Sequence, residues 1–196
     1  ELKELNDKIQ QEDLMEKMDK FKQTAKNQSK SLEQLVELTK KYYVQKKAEQ
    51  LKDKLDKLSD KQEDLSNKEK ENTKENQDEI NKEFDKIQED LKELDKENKE
   101  LKKPLDIPND KQDQKSIDED LKKASDELQK NSKSSAKPKQ KSAAKKMKQM
   151  SQKMEQSLEG GEMEQLEEDI AMLRQVLDNL LAFSFSQEDL MGKFKS

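Results

Sequence analysis

Residues 80–105 read INKEFDKIQEDLKELDKENKELKKPL, and the fold turns on the spacing of their apolar positions. Ile80, Phe84, Ile87, Leu91, Leu94, Asn98 and Leu101 follow one another at alternating steps of four and three. That alternation keeps one stripe of an α-helix facing a neighbour and is the heptad seam of a coiled coil. Leu105 continues the count, but Pro104 has no backbone N–H to donate and its ring clashes with the preceding turn, so the helix ends before it. Asn98 is the one polar residue on the seam. It either fixes the register at a cost in stability or sits in water near the helix end.

The same alternation runs upstream through Leu14, Met18, Phe21, Ala25, Gln28, Leu32 and Leu35, and again through Leu51, Leu55, Leu58, Gln62 and Leu65. Between the two runs the phase slips, over residues 38–48, which implies a change of supercoil or a second packing face. Tyr42 and Tyr43 sit side by side in the slip, and ordinary packing is the expectation there over a ligand platform. QEDL occurs at 11–14, 62–65, 88–91 and 187–190. These positions have no fixed period, so the phrase is helix vocabulary and not a solenoid repeat.

Residues 67–77, NKEKENTKENQ, contain no apolar side chain. Asn76 followed by Glu79 resembles a capping box at a helix start. A turn at 67–77 would fold 31–66 back on 77–103 as an antiparallel hairpin within a coiled-coil region spanning 1–103; the rival is one helix running through. A hairpin is favoured because a lone amphipathic helix gains little until its stripe is buried.

Composition sets the limits. The chain is 28% hydrophobic and 44% charged, with 41 basic and 46 acidic residues, and has neither His, Cys nor Trp. Such a chain cannot build a thick globular core, yet its near-balanced charge is that of long helices more than of disorder. With no His and no Cys, the usual general base, thiol nucleophile and imidazole ligands are absent. Three glycines leave no phosphate-cradling loop. No enzyme, cofactor or metal site is expected. The chain opens at Glu1 inside a helical pattern and is expected to be a piece of something larger.

Downstream, 104–116 reads as a Pro-containing linker. Ile117, Leu121, Ala124 and Leu128 give a short amphipathic helix over 117–130, and Ser- and Lys-rich 131–141 reads as a flexible basic linker. Residues 142–182 predict a helical hairpin. Ala143, Met147, Met150, Met154 and Leu158 line one arm, Gly160-Gly161 makes the turn, and Met163, Leu166, Ile170, Leu173, Leu177 and Leu180 line the other. The methionines are expected in that core more than in a recognition groove. Ser186 before Gln187-Glu188-Asp189 predicts the start of a further helix.

Two surfaces are candidates for partners. The stretch 180–190, LLAFSFSQEDL, concentrates Leu180, Leu181, Phe183, Phe185 and Leu190 in a chain poor in aromatics. The segment 183–196 therefore reads as a docking segment, the alternative being that it packs back on the hairpin. From Lys130 to Lys153 there are nine lysines and no acid, while 155–169 carries seven acids and no base. Lys137, Lys139, Lys141, Lys145, Lys146 and Lys148 could bind nucleic acid or anionic lipid. No aromatic is interleaved, however, and the chain's single arginine is Arg174, so nucleic acid is disfavoured, and a solvated face or an intrachain acidic partner is preferred.

The phrases SLEQLVELTKKYYVQKKAEQL (31–51) and GGEMEQLEEDIAMLRQVLDNLLAFSFSQEDLM (160–191) resemble large uncharacterised bacterial envelope proteins that join N-terminal membrane helices to a long Lys/Glu-rich helical region. The resemblance implies a membrane-tethered, coiled-coil-bearing protein whose anchors lie outside these residues, with no catalytic residues to carry over. The reading is therefore an all-α, elongated chain of coiled-coil helices and antiparallel hairpins. It would serve as a spacer or scaffold for protein partners, either itself or heterologous helices.

Overall fold

The computed structural model describes the backbone of residues 2–194 and the side chains of 15–160, 167–189, 191 and 192. The described residues are all α: α1 (Leu2–Asn67), α2 (Lys74–Lys99), α3 (Lys111–Gln129) and α4 (Lys133–Phe194). Their contacts divide the chain into two compact units, residues 40–163 and the residues up to 39 together with those from 164 on. The division at 39/40 falls inside the stretch where the apolar phase of the sequence slips.

Residues 40–163 form a bundle whose topology follows from its cross-links. Lys47–Glu97, Lys54–Asp90 and Lys61–Glu83, at 2.9, 2.8 and 2.5 Å, advance seven residues along α1 as they retreat seven along α2. Those two helices are therefore antiparallel. Asn81 donates to Ser125 at 3.5 Å and Gln88 to the Gln114 carbonyl at 3.4 Å, which sets α3 antiparallel to α2. Lys146–Asp120 and Lys153–Asp113, at 2.6 and 2.7 Å, do the same for α4 against α3. Lys52–Glu155 and Lys148–Asp56 close α4 onto α1 at 3.5 and 2.6 Å. Each helix thus has two antiparallel neighbours, the up-down-up-down order of a four-helix bundle.

The seam Ile80, Phe84, Ile87, Leu91, Leu94 and Leu101 is buried in one cluster with Leu51, Leu55 and Leu58 of α1, Ile117 and Leu121 of α3, and Met147, Met150 and Met154 of α4. One stripe that reads as a two-helix contact is thus covered by three helices. Asn98 neither sets a register between helices nor sits in water. It is 8% exposed; its amide donates to the Leu105 carbonyl and its carbonyl oxygen accepts from the Leu105 N–H, both at 2.7 Å. The side chain so imitates a peptide edge and clamps the chain beyond Pro104, where the freed backbone groups need partners.

Four buried amides meet across the bundle. Gln62 and Gln77 exchange hydrogen bonds at 3.0 and 2.7 Å. Asn72, from the α1–α2 turn, exchanges a second pair with Gln140 at 3.0 and 2.8 Å. Gln140 also donates to the Gln77 carbonyl oxygen at 2.8 Å, and Gln77 to Asn81 at 3.0 Å. Among the described residues no buried side-chain nitrogen or oxygen lacks a partner, the condition under which polar groups are tolerated inside a core.

The turns lie where capping chemistry puts them. The α1–α2 turn spans residues 68–73, and the cap of α2 is Thr73, whose hydroxyl accepts from the Asn76 N–H at 3.3 Å, so Asn76 stands three residues inside and is not itself the cap. The linker expected over 104–116 stops at Asp110, whose carboxylate accepts from the N–H groups of Gln112 and Asp113 and starts α3 at Lys111.

The flexible basic linker expected over 131–141 is a tight turn followed by helix. Asn131 takes the left-handed conformation with φ 57. Its N–H bonds the Leu128 carbonyl at 2.9 Å, and the Ser132 N–H bonds the Glu127 carbonyl at 2.8 Å, a Schellman closure. α4 then begins at Lys133 and contains Pro138 at its sixth position, past the first turn, where proline has no N–H to donate to the carbonyl of Ser134. Nor do Gly160 and Gly161 turn the chain. α4 runs through them and through Ser186, whose hydroxyl bonds back to the Ala182 carbonyl inside the helix at 2.8 Å. Two glycines cost a helix about 2 kcal/mol in propensity, and buried packing on either side, at Met154 and Val176, outweighs that.

A candidate docking face on the helical pair

The smaller unit is an antiparallel pair of helices. Phe21 of α1 lies against Phe183 of α4, ring centroids 5.7 Å apart and tilted by 31°. Ten residues further along α1, Ser31 accepts from the Asn179 amide at 2.7 Å. The positions that α4 turns toward α1 are Met172, Val176, Asn179, Phe183 and Ser186, and those α1 returns include Phe21, Thr24, Gln28, Ser31 and Leu38, all buried or half-buried. Only Val176 and Ser31 fall below one tenth exposed. The contact is narrow, and much of it is polar.

The leucine-rich faces point elsewhere. Leu173, Leu177 and Leu180 are 46%, 57% and 37% exposed, and Leu32 and Val36 are 50% and 56% exposed. Four of these five follow an inward-facing residue by a single position: Leu173 after Met172, Leu177 after Val176, Leu180 after Asn179, Leu32 after Ser31. One residue is about 100° of rotation, clockwise when a helix is viewed from its N-terminus. Because the helices are antiparallel, an equal clockwise displacement carries both stripes to the same side of the pair. The result is one continuous apolar face made from two helices.

Of the partner-contact residues expected from the sequence, Leu180, Leu181 (49% exposed) and Phe185 (66% exposed) lie open, and Phe183 is turned against Phe21. The side chain of Leu190 lies outside the described residues, as do those of Leu14, Met163 and Leu166. The arm lining expected from Ile170 to Leu180 is a correction: those side chains are the exposed stripe, and the neighbouring stripe through Val176 is the buried one. Reading the sequence for the most apolar face selects the wrong contact, because the stripe that meets the neighbouring helix is the one through Val176. Met18, Leu32 and Leu35 of the upstream seam are exposed as well.

Several lysines of the basic segment are held by carboxylates. Lys146 reaches Asp120 at 2.6 Å, and Ser142 donates to the same carboxylate at 2.6 Å. Burial pushes the Asp120 carboxyl up, but the hydrogen bonds from Lys146 and Ser142, with the charges of Lys146 and Lys139, hold it below the ordinary carboxylate range. Lys148 pairs with Asp56 at 2.6 Å and its ammonium is raised by that bond. Among the described residues, the acids that meet this segment include Asp56 and Asp60 of α1 and Asp113, Asp120 and Glu127 of α3. Lys137, Lys141 and Lys145 are exposed, and Lys139 is half-buried.

Tyr42 and Tyr43 are exposed, each with a lysine over its ring, Lys46 at 5.8 Å and Lys47 at 5.9 Å from the centroids. Among the described residues no group of three or more acidic side chains is placed to hold a metal ion, and no helix is long and apolar enough to cross a membrane. No family model, no curated protein and no solved structure matches this chain.

Proposed function

We propose that the chain is a non-enzymatic helical scaffold that makes protein–protein contacts through the apolar face of its helical pair. The observation that carries this reading is the exposure of Leu173, Leu177, Leu181 and Phe185 on one stretch of α4; a contiguous open apolar face of this kind marks an interaction surface. The bundle supports the reading as a rigid body whose polar interior is fully hydrogen-bonded. Its ion pairs at seven-residue intervals are coiled-coil-like. The membrane-anchored envelope setting implied by the resemblance belongs to the same proposal. Anion binding by residues 130–153 is the weaker reading, since Lys146, Lys148 and Lys153 already face carboxylates.

A photo-crosslinking amino acid placed at Leu181, and in a second protein at exposed Lys96 on the bundle, tests the proposal in cells. Protein adducts at 181, absent at 96 and lost when Leu177→Glu is added, are the expected result. Equal labelling at both positions, or none at 181, would remove the docking face.

A further inference from the structure

The partner of this face can be named from its own chemistry: we infer that it is the same face of a second copy of the chain, the two helical pairs closing into a four-helix layer. The inference rests on the docking reading above and narrows it.

Three features point to self-association. First, both helices contribute to one side of the pair, so two such sides placed together bury both stripes of both copies. Second, a two-fold axis parallel to the helices sets α1 of one copy against α4 of the other. All neighbours are then antiparallel, the arrangement that the bundle of this same chain already uses. Third, the charges on the outer rim complement each other in that arrangement. Lys22 follows Phe21 on the open side of α1, and Glu188 lies on the corresponding rim of α4. In the register set by Phe21–Phe183 and Ser31–Asn179, Lys22 and Glu188 stand within about a helical turn of level. Glu33 and Arg174 stand likewise, so each copy offers a positive and a negative rim charge on each helix, in opposite order. The other two-fold, which stacks α1 on α1, brings Lys22 toward Glu33 of its own kind of helix and leaves Arg174 and Glu188 to each other on α4. That stacking is antiparallel throughout as well and also opposes unlike charges, so exchanging the charges of Lys22 and Glu188 separates the two arrangements of this face.

Sedimentation velocity on the full chain tests this. Wild type is expected at twice 23.0 kDa. Leu177→Glu, at a site 57% exposed within one copy, should weaken the dimer about 10- to 100-fold while the far-ultraviolet circular dichroism stays unchanged at a concentration where both proteins are monomers. Lys22→Glu and Glu188→Lys should each weaken it about threefold and together recover it.

A dimer indifferent to Leu177→Glu would overturn the inference, and one that the double charge reversal fails to recover would overturn the placing of α1 on α4. A wild type that stays monomeric up to about 100 µM would also overturn the inference. In that last case an apolar-surface dye separates the two readings: dye bound by wild type and released by Leu177→Glu leaves a docking face for a different protein, and no dye bound removes both.

Discussion

The bundle and the helical pair are built from the same vocabulary of Lys, Glu and Leu, yet they spend their apolar residues in opposite ways. In the bundle Leu51, Leu55, Phe84, Leu91 and Leu121 are at most 1% exposed, and the polar residues inside are amides, hydroxyls and the Asp120 carboxylate, with partners. In the pair the inward positions include Thr24, Gln28, Ser31 and Asn179, while Leu32, Leu173 and Leu177 face outward. The difference is not a shortage of leucine. Four antiparallel helices can enclose a stripe from every side, whereas two can cover only a line of contact. A two-helix unit whose best stripes point away from its own contact is a surface, and a four-helix unit with the same stripes turned inward is a body.

The comparison predicts an unequal response to core truncation. Phe84→Ala should cost the bundle about 3–5 kcal/mol, read as a lower urea midpoint of the helical signal. Val176→Ala should cost the pair at most about 1.5 kcal/mol and leave amide protection in α2 as it was. Equal costs at the two sites would mean that the units are one cooperative body. A middle-sized effect is expected at the bundle's polar interior. Gln140→Leu keeps the volume but strands both polar atoms of the Asn72 amide, a loss of about 1–3 kcal/mol that a fully apolar account of this core would not foresee.

The smallest effect has the opposite sign. Gly160 is helical and nothing lies within 4 Å of an added Cβ, so Gly160→Ala should slow amide exchange in that part of α4 by the equivalent of about 0.5–1 kcal/mol. Faster exchange there would restore the case for a break at Gly160.

How much of this was legible beforehand depends on what each position buries. The all-α class and the seam from Ile80 to Leu101 could be read because large apolar residues mark the buried face, and Pro104 marks the end of the helix. The first turns of α4 could not be read by that rule. Its buried positions there are Ala136, Gln140 and Ala143, two small and one polar, so the stretch passes for a linker; Asn131 and Ser132 are turn and cap residues and were the signal that could have found it. The face of the pair was misjudged because periodicity reports which stripe is apolar and not which neighbour covers it. Asn98 was visible as an exception on the seam, but its partner, the backbone of Leu105, carries no sequence signature.

The four buried amides also bear on how the chain assembles. Gln62 and Gln77 are 15 residues apart, whereas Gln140 is 63 and 68 residues from Gln77 and Asn72. Closing the short loop costs less entropy than closing the long ones. A copy of α4 that arrives one turn out of place would bring Ala136 or Ala144 to the position of Gln140, and an alanine can answer neither Asn72 nor Gln77. The cluster therefore favours one register of α4, since a slipped helix would leave the Asn72 amide without the partner that Gln140 supplies.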